Sequence, residues 1–192
     1  MSVAELGAKL EVGDLVFIRV DALPFRKIAS TTMSWTNHVG IVIEVAGAEP
    51  VIAESRFPIS ATTSLGRFVA RSQHGRVGVR RPKYFLTELQ RLDIAIAARR
   101  RLHVFYDTGF NLHSRRKFCS RYVREVMLEA TGVEVGEVEN FGTLLSRNPQ
   151  TDLNFWRLWY FNRIPWTRET VSPASQLRSE QLTTVFDGYV RP

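Results

Sequence analysis

Residues 39–43, Val39, Gly40, Ile41, Val42 and Ile43, carry no polar side chain. Five residues are far too few to cross a membrane, which takes about 20. A strand that is apolar at every position is one buried on both faces. The segment HVGIVIEV (38–45) therefore predicts an interior strand. A chain of 192 residues that is 44% hydrophobic is long enough to supply the core this requires.

The neighbouring segments read as further strands. GDLVFIRV (13–20) enters through a Gly-Asp turn, and VIAES (51–55) follows the loop AGAEP closely enough to form a hairpin with 38–45. GRVGVRR with Pro82 (76–82) is another strand. Residues 21–37, with Pro24 and a Ser/Thr-rich stretch, read as irregular, and 56–75 as a long exposed excursion. Thr87 and Gln90 have capping-box spacing, which opens a helix. Its apolar stripe is predicted to be Leu89, Leu92, Ile96, Leu102 and Phe105, ending near Gly109. A second helix carries Phe118, Tyr122, Val123, Val126, Met127 and Ala130 at helical spacing and stops at Gly132. Residues 141–192 are loop-rich, with a dense aromatic stretch over 155–166. No internal boundary divides the chain, which reads as one domain over 1–192.

Cys119 is the only cysteine, which excludes an internal disulfide framework. It falls at the start of the second helix. A thiol attacks as the thiolate, and a free thiol has a pKa of about 8.5, so nucleophilic chemistry needs that value lowered. A helix N-terminus lowers it through unpaired N–H groups and the positive end of the dipole. Arg115, Arg116 and Lys117 are expected to add positive charge beside it. The alternative is a small buried hydrophobe, the usual fate of a lone cysteine.

Four histidines are candidate bases. His74 lies in a polar Gly/Ser/Gln/Arg stretch, His103 in a helical run, and His113 in the undefined approach to the Cys119 helix. His38 opens the buried strand, a rigid platform for a reactive side chain. If 38–45 and 50–55 pair antiparallel with Gly40 opposite Glu54, then Glu54 shares the face of His38 and can orient its ring. A slip of one residue would send Glu54 to the other face. The alternative for Glu54 is a strand-end carboxylate paired with Arg56 or another arginine.

GDLVFIR, NHVGIVIE, VIAES and FCSRYVREV together resemble the circularly permuted branch of the NlpC-type papain-like superfamily, the YiiX/YebB group. The likeness is closest to YebB and extends through DTGF (107–110), NFGTLL (140–145) and the late FW, IPW and TVSPAS segments. In the permuted order the histidine strand precedes the cysteine helix, as His38 precedes Cys119 here. The resemblance implies an α+β fold, a small antiparallel sheet packed against helices. It implies Cys119 as nucleophile, His38 as base and Glu54 at the third polar position. Tyr122 and Asn37 lie within matching motifs without an implied catalytic role. The implied activity is a cysteine peptidase or amidase, or an acyltransferase, working through a thioester.

The alternative is a non-catalytic binding module of the same fold, using the aromatic stretch and positive charge on anionic lipid or peptide ligands. The net charge of +7 favours acidic partners. No arginine-rich tail or nucleic-acid motif accompanies it, so a nucleic-acid partner is not expected. The expected substrate is a small peptide-like or acyl-lipid molecule. No cofactor is expected, and the scattered His38, Glu54 and Cys119 lack the spacing of a metal site. The N-terminal residues lack an apolar core like that of a signal peptide, so the expected location is the cytoplasm.

Overall fold

The computed structural model describes residues 1–191. Its centre is a six-stranded sheet in which every neighbouring pair is antiparallel. In chain order its strands are β1 (Leu15–Val20), β2 (His38–Glu44), β3 (Val51–Glu54), β4 (Ala61–Ser64), β5 (Ser72–Pro82) and β8 (Leu182–Tyr189). Across the sheet they run β4-β3-β2-β1-β5-β8. The apolar run of β2 thus lies in the interior of the sheet, covered on both faces.

One face carries Leu15, Phe17, Val39, Ile41, Ile43 and Ala53. It packs on two helices, α4 (Glu88–Arg99) and α5 (Cys119–Thr131). The other face, with Val16, Ile18, Val42, Ile52 and Val79, is covered by α1 (Val3–Gly7) and α3 (Leu65–Val69) through Leu6, Leu65 and Phe68. Each fully buried aliphatic or aromatic side chain contributes about 1.5–3 kcal/mol, so a strand covered twice is held firmly. A third apolar cluster forms around Trp156, with Phe110, Phe118, Phe141 and Leu145. It gathers residues from before α5 and from the C-terminal part. There lie α6 (Phe141–Ser146), α7 (Leu153–Trp159), α8 (Pro173–Leu177) and a small sheet of β6 (Val138–Asn140) with β7 (Glu169–Val171).

Three sequence expectations are corrected. The α4 helix begins with the capping box of Thr87 and Gln90 but ends at Arg99, not near Gly109. Its buried face is Ile94, Ala97 and Ala98, whereas Leu89, Leu92, Ile96 and Phe105 are exposed. Two apolar rows run along this segment, and the row with two alanines is the one that lets α4 approach α5 closely. Residues 21–37 contain a helix, α2 (Leu23–Thr31), because a proline in the first turn removes no hydrogen bond that the helix uses. The excursion over 56–75 contains β4 and α3, and β5 begins at Ser72.

Gly40 shows how tightly β2 is enclosed. A Cβ there would lie 2.5 Å from Cγ2 of Ile52 and 2.9 Å from Cε2 of Phe68. Gly40→Ala is expected to destabilise the fold by about 1–3 kcal/mol through overpacking. Urea unfolding measures this; an unchanged midpoint would contradict the packing described.

Candidate active site

The β2–β3 register pairs Ile41 with Ala53 and Val42 with Ile52. Extending it one step sets Gly40 opposite Glu54, so Glu54 shares the face of His38. The two side chains meet: Nε2 of His38 lies 2.6 Å from Oε2 of Glu54. The second carboxylate oxygen accepts from Nη2 of Arg71 at 2.7 Å, and Nε of Arg56 stands 3.8 Å away. Glu54 is therefore both the partner of His38 and the arginine-paired carboxylate of the alternative reading. The His38 ring is wedged between Phe25 (6.2 Å, edge-on) and Phe68 (5.7 Å). The guanidinium of Arg71 in turn lies 4.9 Å over the Phe68 ring. Glu54 is fully enclosed, and His38 and Cys119 are only 2% and 3% exposed.

Cys119 is the first residue of α5, which stops at Gly132 in the left-handed conformation (φ 74°). The N-cap of α5 is Phe118, which has no side chain able to accept from the first turn. Among the described residues, α1, α3, α4, α6, α7 and α8 all have a Ser, Thr, Asn or Asp cap that accepts such a bond. At α5 the N–H groups stay available. The backbone N–H groups of Ser120 and Val39 favour the ionised form of Cys119.

Burial pushes the Cys119 thiol up, but the charge and hydrogen bonding of His38, with the N–H groups of Val39 and Ser120, outweigh it and hold the thiol below its ordinary value. Burial likewise pulls the His38 imidazolium down. The Cys119 thiolate and Glu54 prevail, and His38 is raised to about 9. Glu54 is pushed up by burial but held below the usual carboxylate range by His38 and Arg71. An ionised Glu54 accepts from Nε2–H, so Nδ1 remains, and it finds no other well-formed hydrogen bond in the protein.

Of the basic residues expected to help the thiol, Lys117 is diverted. Lys117 is drawn to Glu125, 2.5 Å away, and Arg121 binds the same carboxylate at 2.7 Å. None of Arg115, Arg116 and Lys117 is among the largest influences on the thiol. The remaining histidines stand apart: His113 pairs with Glu169 at 2.6 Å on the exposed surface, and His74 and His103 sit at left-handed backbone positions. Asn37 pins the end of β1 by exchanging hydrogen bonds with the backbone of Val20 (2.8 and 3.1 Å). Tyr122 donates to the carbonyl of Ala98 at 2.7 Å from within the core.

Sequence reasoning missed Tyr106. Its buried hydroxyl has no hydrogen-bond partner of good geometry, and the side chain and backbone of Cys119 both act on it. Burial first, and the thiolate charge next, raise its ionisation well above the ordinary phenol, so it stays a proton donor. Beside it a narrow cavity of about 30 Å³ opens at Cys119, walled by Ile28, Phe110, Phe118, Phe141, Leu144 and Trp156. That is room for about two water-sized groups.

A sheet flanked by helices, with the histidine strand ahead of the cysteine helix, is a permuted papain-like domain. The chain belongs to the permuted papain-like amidase family of YaeF and YiiX, whose model matches residues 9–186. It is 28% identical over 185 residues to the uncharacterized protein YiiX of Escherichia coli strain K12, covering 96% of this chain and 90% of that protein. It is also similar to the crystal structure of YiiX from Escherichia coli O157:H7, described as a metalloprotein. The TM-score is 0.83 at 26% identity, over 94% of this chain and 99% of that one. In the present chain, no group of three or more His, Cys, Asp or Glu side chains among the described residues is placed to hold a metal ion. With Nε2 of His38 engaged by Glu54, His38 and Cys119 offer a metal only Nδ1 and the sulfur, fewer than the three protein ligands of a catalytic zinc centre.

The pairing predicts how the thiol titrates. Alkylation of Cys119 by iodoacetamide, a small neutral reagent, should reach half its maximal rate at a pH below that of a free cysteine, about 8.5. In His38→Ala only the N–H groups of Val39 and Ser120 still oppose burial, so the midpoint should rise. Arg115→Gln with Arg116→Gln should leave it in place. An unchanged midpoint in His38→Ala would remove the ion pair from consideration.

Proposed function

We propose that this protein is a cysteine-dependent hydrolase that cleaves an amide through a thioester at Cys119. The observation that carries the reading is the contact of His38 with Glu54 at 2.6 Å, which holds Nε2 and leaves Nδ1 for the thiol. The imidazolium at Nδ1 balances the thiolate, and the sulfur attacks the amide carbonyl carbon to form the C–S bond. The carbonyl oxygen becomes an oxyanion, for which the Cys119 N–H and the Tyr106 hydroxyl are donors. As the C–N bond breaks, Nδ1–H protonates the leaving amine, and the thioester remains. Neutral His38 then takes a proton from water, whose oxygen attacks the thioester. The acid product leaves, and the thiolate and imidazolium are restored. An amine or alcohol in place of water makes the same cycle an acyl transfer.

The cavity beside the sulfur is walled mainly by apolar side chains, with Thr31, Asn37, Thr170 and Ser172 among them and no charged residue, so the acyl side of the substrate is compact and uncharged. The protein should therefore be tested on N-acyl amides that differ only in the acyl group. kcat/KM is expected to rise from acetyl through the next one or two carbons, and to fall by about tenfold or more when a carboxylate is added to that group. Cys119→Ser and His38→Ala should abolish turnover. Tyr106→Phe should lower kcat by about tenfold to a thousandfold. A preference for charged acyl groups would overturn the substrate assignment alone. Turnover retained in Cys119→Ser would overturn the mechanism.

A further inference from the structure

The helix α7 has two different faces. Inward, Trp156 is buried, donates from Nε1 to Oγ1 of Thr31 at 3.2 Å and walls the cavity at Cys119. Outward, Leu158 is 80% exposed and Phe161, just past the helix end, is 89% exposed. Phe161 and Asn162 both have left-handed backbones (φ 50° and 64°). That conformation is strained for a phenylalanine, while asparagine adopts it more readily. The turn is closed by Asn162 N–H donating to the carbonyl of Arg157 at 2.7 Å. A strained, well-bonded turn thus holds a large aromatic ring in water.

The surroundings of this tip are cationic. Residues 153–168 contain Arg157, Arg163 and Arg168 and no Asp or Glu. Leu158, Trp159, Phe161, Arg163 and Arg168 line one shallow surface depression. Arg157 bonds the side chain of Asn154 and Arg168 the carbonyl of Gly109. Among the described residues, no carboxylate pairs with Arg157, Arg163 or Arg168, whereas Arg80, Arg81, Arg99 and Arg100 are all paired. The other exposed apolar row, Phe85, Leu89, Leu92 and Ile96 along α4, shares its segment with Glu88 and Asp93. The cations along α4 and at its end, Arg91, Arg99 and Arg100, are paired with Glu11, Glu44 and Glu129, so an anionic surface meets unpaired arginines at the α7 tip instead. Projecting Leu and Phe, Trp beside them and unpaired arginines around them are the chemistry of a segment lying in a bilayer interface.

We propose that the outer face of α7 and the turn that follows it dock this protein peripherally onto an anionic lipid bilayer. Leu158 and Phe161 enter the headgroup–acyl boundary, and Arg157, Arg163 and Arg168 meet lipid phosphates. The same helix then sets the cavity at Cys119 next to the membrane. The docking rests on the outer face of α7 alone; only its use in turnover rests on the reading of Cys119 given above.

The test is co-sedimentation of the full chain with vesicles of phosphatidylglycerol and phosphatidylcholine, and with phosphatidylcholine alone. Binding to the anionic vesicles is expected to be about tenfold or more tighter and to weaken as sodium chloride is added. Leu158→Ser with Phe161→Ser, and separately Arg157→Glu with Arg163→Glu, should each weaken it by about tenfold or more. Iodoacetamide alkylation of Cys119 should be unchanged in both, which confirms an intact fold and keeps the result separate from catalysis. The proposal is overturned by absence of binding, by equal binding to neutral vesicles, or by variants that bind as wild type does. It is also overturned if sedimentation velocity without lipid shows a dimer that these variants convert to monomer, since the occupant of the face is then a second copy of the chain.

Discussion

From Cys119 a line of groups runs inward, thiol, His38 imidazole, Glu54 carboxylate and Arg71 guanidinium, and the proposed mechanism uses them as charges of alternating sign. The first three are almost wholly enclosed. Isolated, each would cost several kcal/mol to keep ionised away from water. In sequence, each is stabilised by the next, and the line ends at Arg71, whose side chain is one-third exposed and so reaches solvent. The arrangement explains why a buried histidine is raised to about 9 when burial alone would lower it. It also makes the elements interdependent. β2 supplies His38, β3 supplies Glu54, α3 brings Phe68 and the arginine just beyond it, and α5 supplies the thiol. Movement of any one by a residue leaves a buried charge without its partner.

The same reasoning accounts for the missing cap of α5. A Ser, Thr, Asn or Asp at position 118 would accept from the first-turn N–H groups, as happens at six other helices among the described residues. Those donors would then be filled before any ligand arrived. Phe118 instead packs against Phe110 at 5.9 Å and contributes to the cavity wall. The exchange gives up about 1 kcal/mol of helix capping and leaves the first-turn donors without a side-chain cap.

What was legible in the sequence was whatever has a local signature. The apolar run 39–43 required a strand covered twice, Gly132 required a helix stop, and the two-residue period of side-chain direction in a strand allowed a register that put Glu54 beside His38. The parts that escaped are those decided by distant packing. The apolar row Leu89, Leu92 and Ile96 has good helical spacing, yet the neighbouring alanine row fits α5 and takes the core. Residues 56–75 carry too short an α3 to show a period, so Phe68 and Arg71, both at the site, looked like exposed loop. Tyr106 was assigned to a helix that in fact ends at Arg99, and its position depends on backbone pairing with Lys117 and Pro58. The basic run 115–117 looked electrostatically relevant to the thiol because it is adjacent in sequence. In space Glu125 intercepts Lys117.

Chain order has little hold on this site. His38, Glu54 and Cys119 come from three segments whose connections run elsewhere on the molecule. Their meeting depends on two packing relations: β2 beside β3 in the sheet, and α5 lying across the face that carries Val39 and Ile41. Both survive when the segments are joined in another sequence, provided that the joins are surface loops. A histidine ahead of the cysteine is therefore no obstacle to the geometry. It follows that the informative signals are the local ones, a histidine opening a doubly buried strand and a cysteine opening an uncapped helix. Permutation rearranges the loops between these signals and leaves the signals themselves unchanged.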